Sequence, residues 1–118
     1  MPKLPLFLTV FTIIVIASWL IYSQKGDNPT YKPGSSAQLD TVVNQARHSY
    51  ELQKSQGVDF TNGPCLSNDL LPGWVADIVH SPRQAVDDLP QNQCQAYLEG
   101  RASHFIELDL NGNVVRIK

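Results

Sequence analysis

Residues 104–117, HFIELDLNGNVVRI, carry the clearest structural signal in the chain. Apolar and polar residues alternate on both sides of an Asn-Gly pair, a pattern typical of two short strands joined by a tight turn. Asn111-Gly112 is suited to the two positive-φ positions of a type I′ turn. The alternation predicts that Ile106 and Leu108 share one face, that Phe105 and Glu107 share the other, and that Val115 and Ile117 continue the pattern on the second strand.

A long amphipathic helix is predicted from about residue 37 to residue 56. Ser35 or Ser36 is placed to cap its start, and Gly57 fits the left-handed position after its last turn. Apolar residues recur on one face with a 3.6-residue period. They are Leu39, Val42, Val43, Ala46 and Tyr50. Packing on a sheet is favoured over a coiled coil because this stripe extends over too few heptads.

The segments between the helix and the hairpin are shorter. Residues 58–73 are rich in Asn, Gly, Pro and Asp and are predicted to be loop, whereas residues 74–79, WVADIV, are typical of a strand. Two prolines interrupt residues 81–90, and a short helix over residues 91–99 is expected to end at Gly100. The predicted fold class is α+β: one helix packed on a small antiparallel sheet of three or four strands, with a C-terminal hairpin.

The N-terminal segment is strongly apolar. Residues 4–22, LPLFLTVFTIIVIASWLIY, carry no charge and are long enough for a bilayer span of about 20 residues. Trp19 and Tyr22 stand at its far end, where aromatic rings favour the membrane interface. A cleaved signal peptide is the alternative, but a cut after Ser23 would leave Ile21 at a position that prefers small residues. The segment therefore predicts an uncleaved anchor in the lipid bilayer.

Three regions follow from these patterns: an anchor at 1–23, a flexible linker at 24–36 and a small domain at 37–118. The linker contains two prolines and two glycines, which is typical of an extended connection. A short N-terminal tail before a single span usually stays inside the cell. The expected location is the cell membrane, single-pass, with the C-terminal domain outside the cytoplasm.

The only two cysteines, Cys65 and Cys94, are predicted to form a disulfide. They lack C-x-x-C spacing, and no His or Asp beside them has the spacing of a metal ligand, although a metal site and two free thiols remain alternatives. An anchor gives access to an oxidising compartment, and a domain this small needs additional stabilisation. Closing a loop of about 30 residues stabilises a fold by roughly 3 to 4 kcal/mol. No metal or cofactor is predicted.

The charge balance argues against nucleic-acid binding. The part that follows the anchor contains all eleven acidic residues and all but one of the nine basic residues, which gives a net charge of about −3. No run of five basic residues occurs. A mildly acidic surface gains no affinity from the release of phosphate counterions, so the expected partners are the bilayer and an envelope protein.

Candidate functional residues lie within the segment bounded by the cysteines and at the start of the hairpin. The candidate binding surface consists of Trp74, His80, Arg83, Asp87, Asp88, Tyr97 and His104. A small envelope hydrolase, with His80 or His104 acting with Asp87, Asp88 or Glu107, is the alternative. His104 and Glu107 have opposite parity on a strand, which argues against their acting together. No established catalytic motif is present, so a binding role is favoured over catalysis.

Residues 63–117 resemble a group of small single-span bacterial membrane proteins with a two-cysteine C-terminal domain. The features that carry the resemblance are Cys65, Pro82-Arg83-Gln84, Asp87-Asp88, Asn92-x-Cys94 and the hairpin that starts at His104. The resemblance implies a membrane-anchored protein and no particular activity. A pilin-like structural subunit is a further alternative. The chain departs from that pattern because it has no glycine cleavage site before the apolar run, no glutamate early in it, and a linker that interrupts the helix.

The sequence thus predicts a single-pass membrane protein. Its extracytoplasmic domain is expected to bind an envelope partner or to support an envelope assembly.

Overall fold

The computed structural model describes Val10, residues 12–17 and residues 31–118. Val10 and residues 12–17 are helical. Among the described residues, no helix combines the length and the apolar character that a bilayer span requires. Most of the predicted anchor at 4–22, and most of the linker at 24–36, lie outside the described residues.

The predicted amphipathic helix is confirmed as α1, Ala37–Ser55. Ser36 caps it, because its hydroxyl accepts a hydrogen bond from the Leu39 backbone N–H at 3.4 Å, and Gly57 follows with φ +81°. The apolar face is buried as the periodicity predicts. Its fully enclosed residues are Val42, Val43, Ala46 and Tyr50. Two side chains extend the contact: Gln53 donates to the Leu66 carbonyl at 2.8 Å, and the Tyr50 hydroxyl donates to the Leu110 carbonyl at 2.7 Å.

Four strands form one sheet in the order β1-β2-β3-β4. The strands are β1 Cys65–Leu71, β2 Trp74–Ile78, β3 His104–Leu108 and β4 Val114–Ile117. Helix α1 packs on one face, over a core that includes Trp74, Ile78, Ile106 and Leu108. A second, smaller apolar cluster around Val75 and Phe105 occupies the opposite face. The sheet therefore has two covered faces.

The predicted loop at 58–73 is wrong in its second half, because β1 pairs there with β2 in antiparallel fashion. Leu66 and Leu70 are buried on this strand, while Asn68 and Asp69 between them are exposed. β1 lies at the edge of the sheet, and its register with β2 shifts twice. An irregular edge strand tolerates polar residues and turn formers, so its composition resembles that of a loop.

The predicted sheet is also wrong in one respect: β2 and β3 are parallel. Parallel neighbours require a crossover connection, and residues 79–103 supply it. This crossover segment contains two 3-10 turns, Ala85–Asp88 and Pro90–Asn92, and a four-residue helix α2, Gln95–Leu98. The short helix predicted over 91–99 is thus confirmed only in part, and Gly100 follows it with φ +77°. The crossover segment covers the sheet face that α1 leaves open.

The C-terminal hairpin is confirmed, although its turn is not type I′. A type I′ turn would require positive φ at Asn111, and no residue other than glycine has a positive φ among those described. The turn closes instead through Asp109, whose carbonyl accepts the Gly112 N–H at 3.0 Å and whose N–H donates to the Asn113 carbonyl at 2.8 Å. The resulting register irregularity places Val114 opposite Leu108, while Ile117 lies opposite Ile106.

The predicted disulfide between Cys65 and Cys94 is present, and the Cα atoms of the two residues are 4.9 Å apart. Cys65 begins β1, and Cys94 immediately precedes α2. The bond therefore fixes the end of the crossover segment to the first strand of the sheet. The same connection is reinforced by Asn68, whose side-chain oxygen accepts the Ala96 N–H at 3.0 Å.

Candidate functional site

Charged side chains form a row across three strands on the crossover side of the sheet. In the parallel pair, Asp77 on β2 lies beside Glu107 on β3, and Glu107 in turn lies beside Arg116 on β4. Strand alternation places all three on the same face as Phe105, away from α1. The sheet thus carries two acidic groups and one basic group side by side beneath the crossover segment.

Glu107 is the centre of an ion network. Its side chain is only 4% exposed, and its two oxygens accept hydrogen bonds from Arg83 Nη1 and Arg116 Nε, each at 2.6 Å. Arg83 Nε also donates to Asp88 Oδ1 at 2.9 Å. Charge-assisted bonds of this kind are stronger than those between neutral groups. Arg83 therefore ties the crossover segment to the middle of the sheet.

Asp77 differs from its neighbour because no described residue donates a hydrogen bond to its enclosed Oδ1 atom. Burial, followed by the negative charge of Glu107, raises the pKa of Asp77 to about 8. At neutral pH this carboxyl group is accordingly mostly protonated. Buried polar atoms without a partner are infrequent in native folds, so this one requires a specific explanation.

These groups surround a cavity of about 70 Å³. We refer to it as the carboxylate–arginine cleft, and its principal lining residues are Asp77, Arg83, Tyr97, Phe105, Glu107 and Arg116. The two aromatic rings meet edge to face with their centroids 5.1 Å apart, and the Arg116 guanidinium lies 4.8 Å from the centre of the Phe105 ring. A cavity of this size holds a few water molecules or one small polar group.

A second polar centre joins His80 and Asp87. His80 Nδ1 is 2.9 Å from Asp87 Oδ1, and the backbone N–H groups of His80 and Gln84 donate to Asp87 Oδ2 at 3.1 and 2.8 Å. Burial alone would raise the pKa of Asp87, but these hydrogen bonds outweigh it and lower the pKa. An ionised carboxylate only accepts hydrogen bonds, so His80 Nδ1 carries the proton and Nε2 is left as a potential base.

His80 also lines a separate cavity of about 240 Å³ together with Gln84 and Asp109. Asp87 also has a structural role besides its contact with His80, because it is fully buried beneath Gly63. A Cβ atom at Gly63 would collide with the Asp87 carboxylate. The pair is therefore both a possible acid–base centre and the anchor that fixes the start of the crossover segment.

The other predicted surface residues are distributed rather than clustered. Trp74 is buried, and its ring stacks on His104 at 4.7 Å between centroids, at the opposite end of the β2–β3 pair from His80. At about 3.3 Å per residue, the two histidines stand roughly 20 Å apart. Of the residues selected from the sequence, Arg83, Tyr97 and Glu107 line the cleft, and Asp88 is bound to Arg83. His80 and Asp87 form their own centre.

Asp77 and Arg116 were missed as candidates. A signal existed in both cases, because each is a charged residue within a strand whose neighbours are apolar. Position alone does not show whether such a residue faces solvent, and the parallel pairing of β2 with β3 is what sets Asp77 beside Glu107. The cleft was therefore identifiable only once the strand order was known.

Within the described part of the chain, no three His, Cys, Asp or Glu side chains are grouped so that they could hold a metal ion. Comparison of the chain with protein-family models, with curated proteins and with solved structures gave no match.

Proposed function

We propose that the chain is a single-pass membrane protein whose extracytoplasmic domain binds a partner or ligand in the carboxylate–arginine cleft. The observation that carries the proposal is the half-buried Asp77, which lines the cleft and whose enclosed Oδ1 atom lacks a hydrogen-bond partner among the described residues. Leaving a buried acceptor unpaired costs about 1 to 3 kcal/mol. A partner that donates a hydrogen bond to this carboxyl group from the cleft would offset part of that cost on binding.

The extracytoplasmic location is supported by two features of the chain. The disulfide is a bond that persists mainly in oxidising compartments. The uncharged residues 4–22 are long enough to anchor a domain on the far side of a membrane. Alkylation of isolated membranes without reductant, followed by digestion and mass spectrometry, tests the location. A linked Cys65–Cys94 peptide is expected, and two alkylated cysteines would contradict it.

Site-specific photocrosslinking tests the binding role. A benzophenone side chain placed at Tyr97, which lines the cleft, is expected to give a defined adduct in cells that express the full chain. The matched control carries the same group at Glu51, which is exposed on α1. Asp77→Asn should abolish the adduct formed from position 97. Identical adducts at both positions, or none at Tyr97, would refute binding at the cleft.

The hydrolase alternative is favoured by one observation, the contact between His80 Nδ1 and the buried Asp87 carboxylate at 2.9 Å. This arrangement leaves Nε2 able to accept a proton from water. Under this alternative, purified full-length protein would hydrolyse an activated ester such as p-nitrophenyl acetate faster than buffer, and His80→Gln would abolish the excess rate. Equal rates for the unmodified protein and His80→Gln would exclude hydrolysis of this substrate class by His80.

A further inference from the structure

The ion pairs around the cleft leave one carboxyl group without a cationic partner. Arg83 and Arg116 both contact Glu107, and Arg83 also contacts Asp88. Two guanidinium groups are thus matched by two carboxylates. Asp77 is the remaining acid that lines the cleft: the ion pairs among the described residues do not include it, although the charge of Arg83 acts on it from nearby.

From this arrangement we propose that the cleft binds a primary ammonium group, which donates hydrogen bonds to Asp77. The ammonium belongs either to a free small amine or to a lysine side chain of a partner protein, since both present the same chemistry. This inference rests on the proposed binding function and specifies the chemical class of the ligand.

The charges in the cleft select against the other ligand classes. The charges of both guanidinium groups are already matched by Glu107 and Asp88, so an anion would add an uncompensated negative charge to the cleft. A neutral donor could satisfy the hydrogen bond to the protonated carboxyl group, but only a cation compensates the negative charge that Asp77 acquires when it ionises. An ammonium group supplies both the donor and the charge.

Asp77 can present its carboxyl to the cleft. The residue is half-buried and lines the cavity, although Oδ1 itself is enclosed. The terminal torsion of an aspartate is broad, so a partial rotation of the carboxyl group turns Oδ1 toward the cleft. The rings of Tyr97 and Phe105 provide an apolar wall for the carbon atoms next to the nitrogen.

Binding of the cation is coupled to loss of a proton. Asp77 faces Glu107 on the adjacent strand and Arg83 and Asp87 from the crossover segment, and burial together with the charge of Glu107 raises its pKa to about 8. Below that pH an ammonium ion must replace the proton. The two arginines balance Glu107 and Asp88, so the cluster is neutral when Asp77 is protonated. It is also neutral when Asp77 is ionised and one monocation is bound. The association constant should therefore rise about tenfold per pH unit up to roughly pH 8 and then level off.

Titration of the full-length chain in detergent micelles with n-butylammonium chloride tests the inference. Amide resonances of Val75 and Ile78, observed by ¹H–¹⁵N NMR, are expected to shift in a saturable way. Calorimetry in buffers of different ionisation enthalpy should detect about one proton released per amine at pH 7. Asp77→Asn should weaken binding at least tenfold, whereas Asp69→Asn, an exposed position on β1, should leave it unchanged.

Two control ions establish the chemistry. Tetramethylammonium carries the same charge without an N–H donor, and butyrate carries the opposite charge, so neither should compete with n-butylammonium. If either ion binds equally well at the same resonances, or if Asp77→Asn binds n-butylammonium as the unmodified chain does, the inference is overturned. A Tyr97 adduct that depends on Asp77, together with no amine binding, would overturn the ammonium assignment and leave the proposed binding function intact.

A comparison of two amines in the same titration distinguishes the two sources of the ammonium group. N-acetyl-lysine N-methylamide presents the lysine side chain on a peptide unit, and it is compared with n-butylammonium. A gain of tenfold or more for the lysine derivative would support a lysine of a partner protein. Equal or weaker binding of the derivative would support a free small amine.

Discussion

Replacement of Asp77 by asparagine is expected to change how the stability of the domain depends on pH. In the unfolded chain this carboxyl ionises near its ordinary value of 3.8, whereas in the folded domain its pKa is about 8. Between these two values the folded state holds a proton that the unfolded state has lost. The free energy of unfolding of the unmodified chain should therefore fall as the pH rises through this interval.

The size of the effect follows from the difference between the two pKa values. A difference of one pKa unit corresponds to about 1.4 kcal/mol. The difference between the folded and unfolded pKa values therefore limits the loss of stability to about 5 to 6 kcal/mol. Asp77 is only half-buried and borders a solvent-accessible cleft. Screening by water reduces the expected loss to about 2 to 3 kcal/mol. Asn imitates the protonated acid in shape and cannot ionise, so Asp77→Asn should lose much less stability over the same range.

Urea titrations of the full-length chain between pH 4.5 and 9, followed by near-ultraviolet circular dichroism, measure this difference. Asp69→Asn serves as the control, because that carboxyl is exposed and should not alter the slope. The lowered pKa of Asp87 has the opposite effect, because it reduces the free energy of unfolding as the pH falls. This effect occurs only below the ordinary carboxyl pKa of 3.8, outside the measured range. Parallel pH profiles for the unmodified chain and Asp77→Asn would refute the account of this carboxyl.

Three further predictions concern the supports of the cleft. Glu107→Gln should destabilise the domain by about 1 to 3 kcal/mol in urea titrations, less than a fully buried ion pair would, because both arginine partners are substantially exposed; an unchanged midpoint would contradict this. Replacing both cysteines with serine should cost about 3 to 4 kcal/mol on the chain-entropy model, as measured by thermal unfolding, and a loss below about 1 kcal/mol would argue against that model here. Gly63→Ala should cost more than about 2 kcal/mol of stability, because φ is +64° there and the added Cβ would meet the Asp87 carboxylate. Gly57→Ala should cost only about 1 kcal/mol of backbone strain, because no atom lies near its added Cβ. Equal losses for the two variants would rule out the collision.

Local features of the fold were predictable from the sequence because they depend on short-range periodicity and turn chemistry. The α1 stripe from Val42 to Tyr50, the Ser36 cap and the alternation of Ile106 with Glu107 are each encoded within a few residues. The disulfide followed from the number of cysteines and the small size of the domain. By contrast, β1 was missed because an edge strand need not be apolar on both faces.

The cleft was decided by tertiary structure. Sequence reasoning selected Arg83, Tyr97 and Glu107 for their chemical types, but nothing in their spacing placed them around Asp77 and Arg116. The parallel pairing of β2 with β3 is a long-range contact that forms only because residues 79–103 cross over the sheet. This pairing sets two carboxyl groups side by side, and both arginines bind only one of them, Glu107. Sequence alone therefore determined the elements and the covalent staple, while strand order determined which charges meet and which of them lacks a counter-charge.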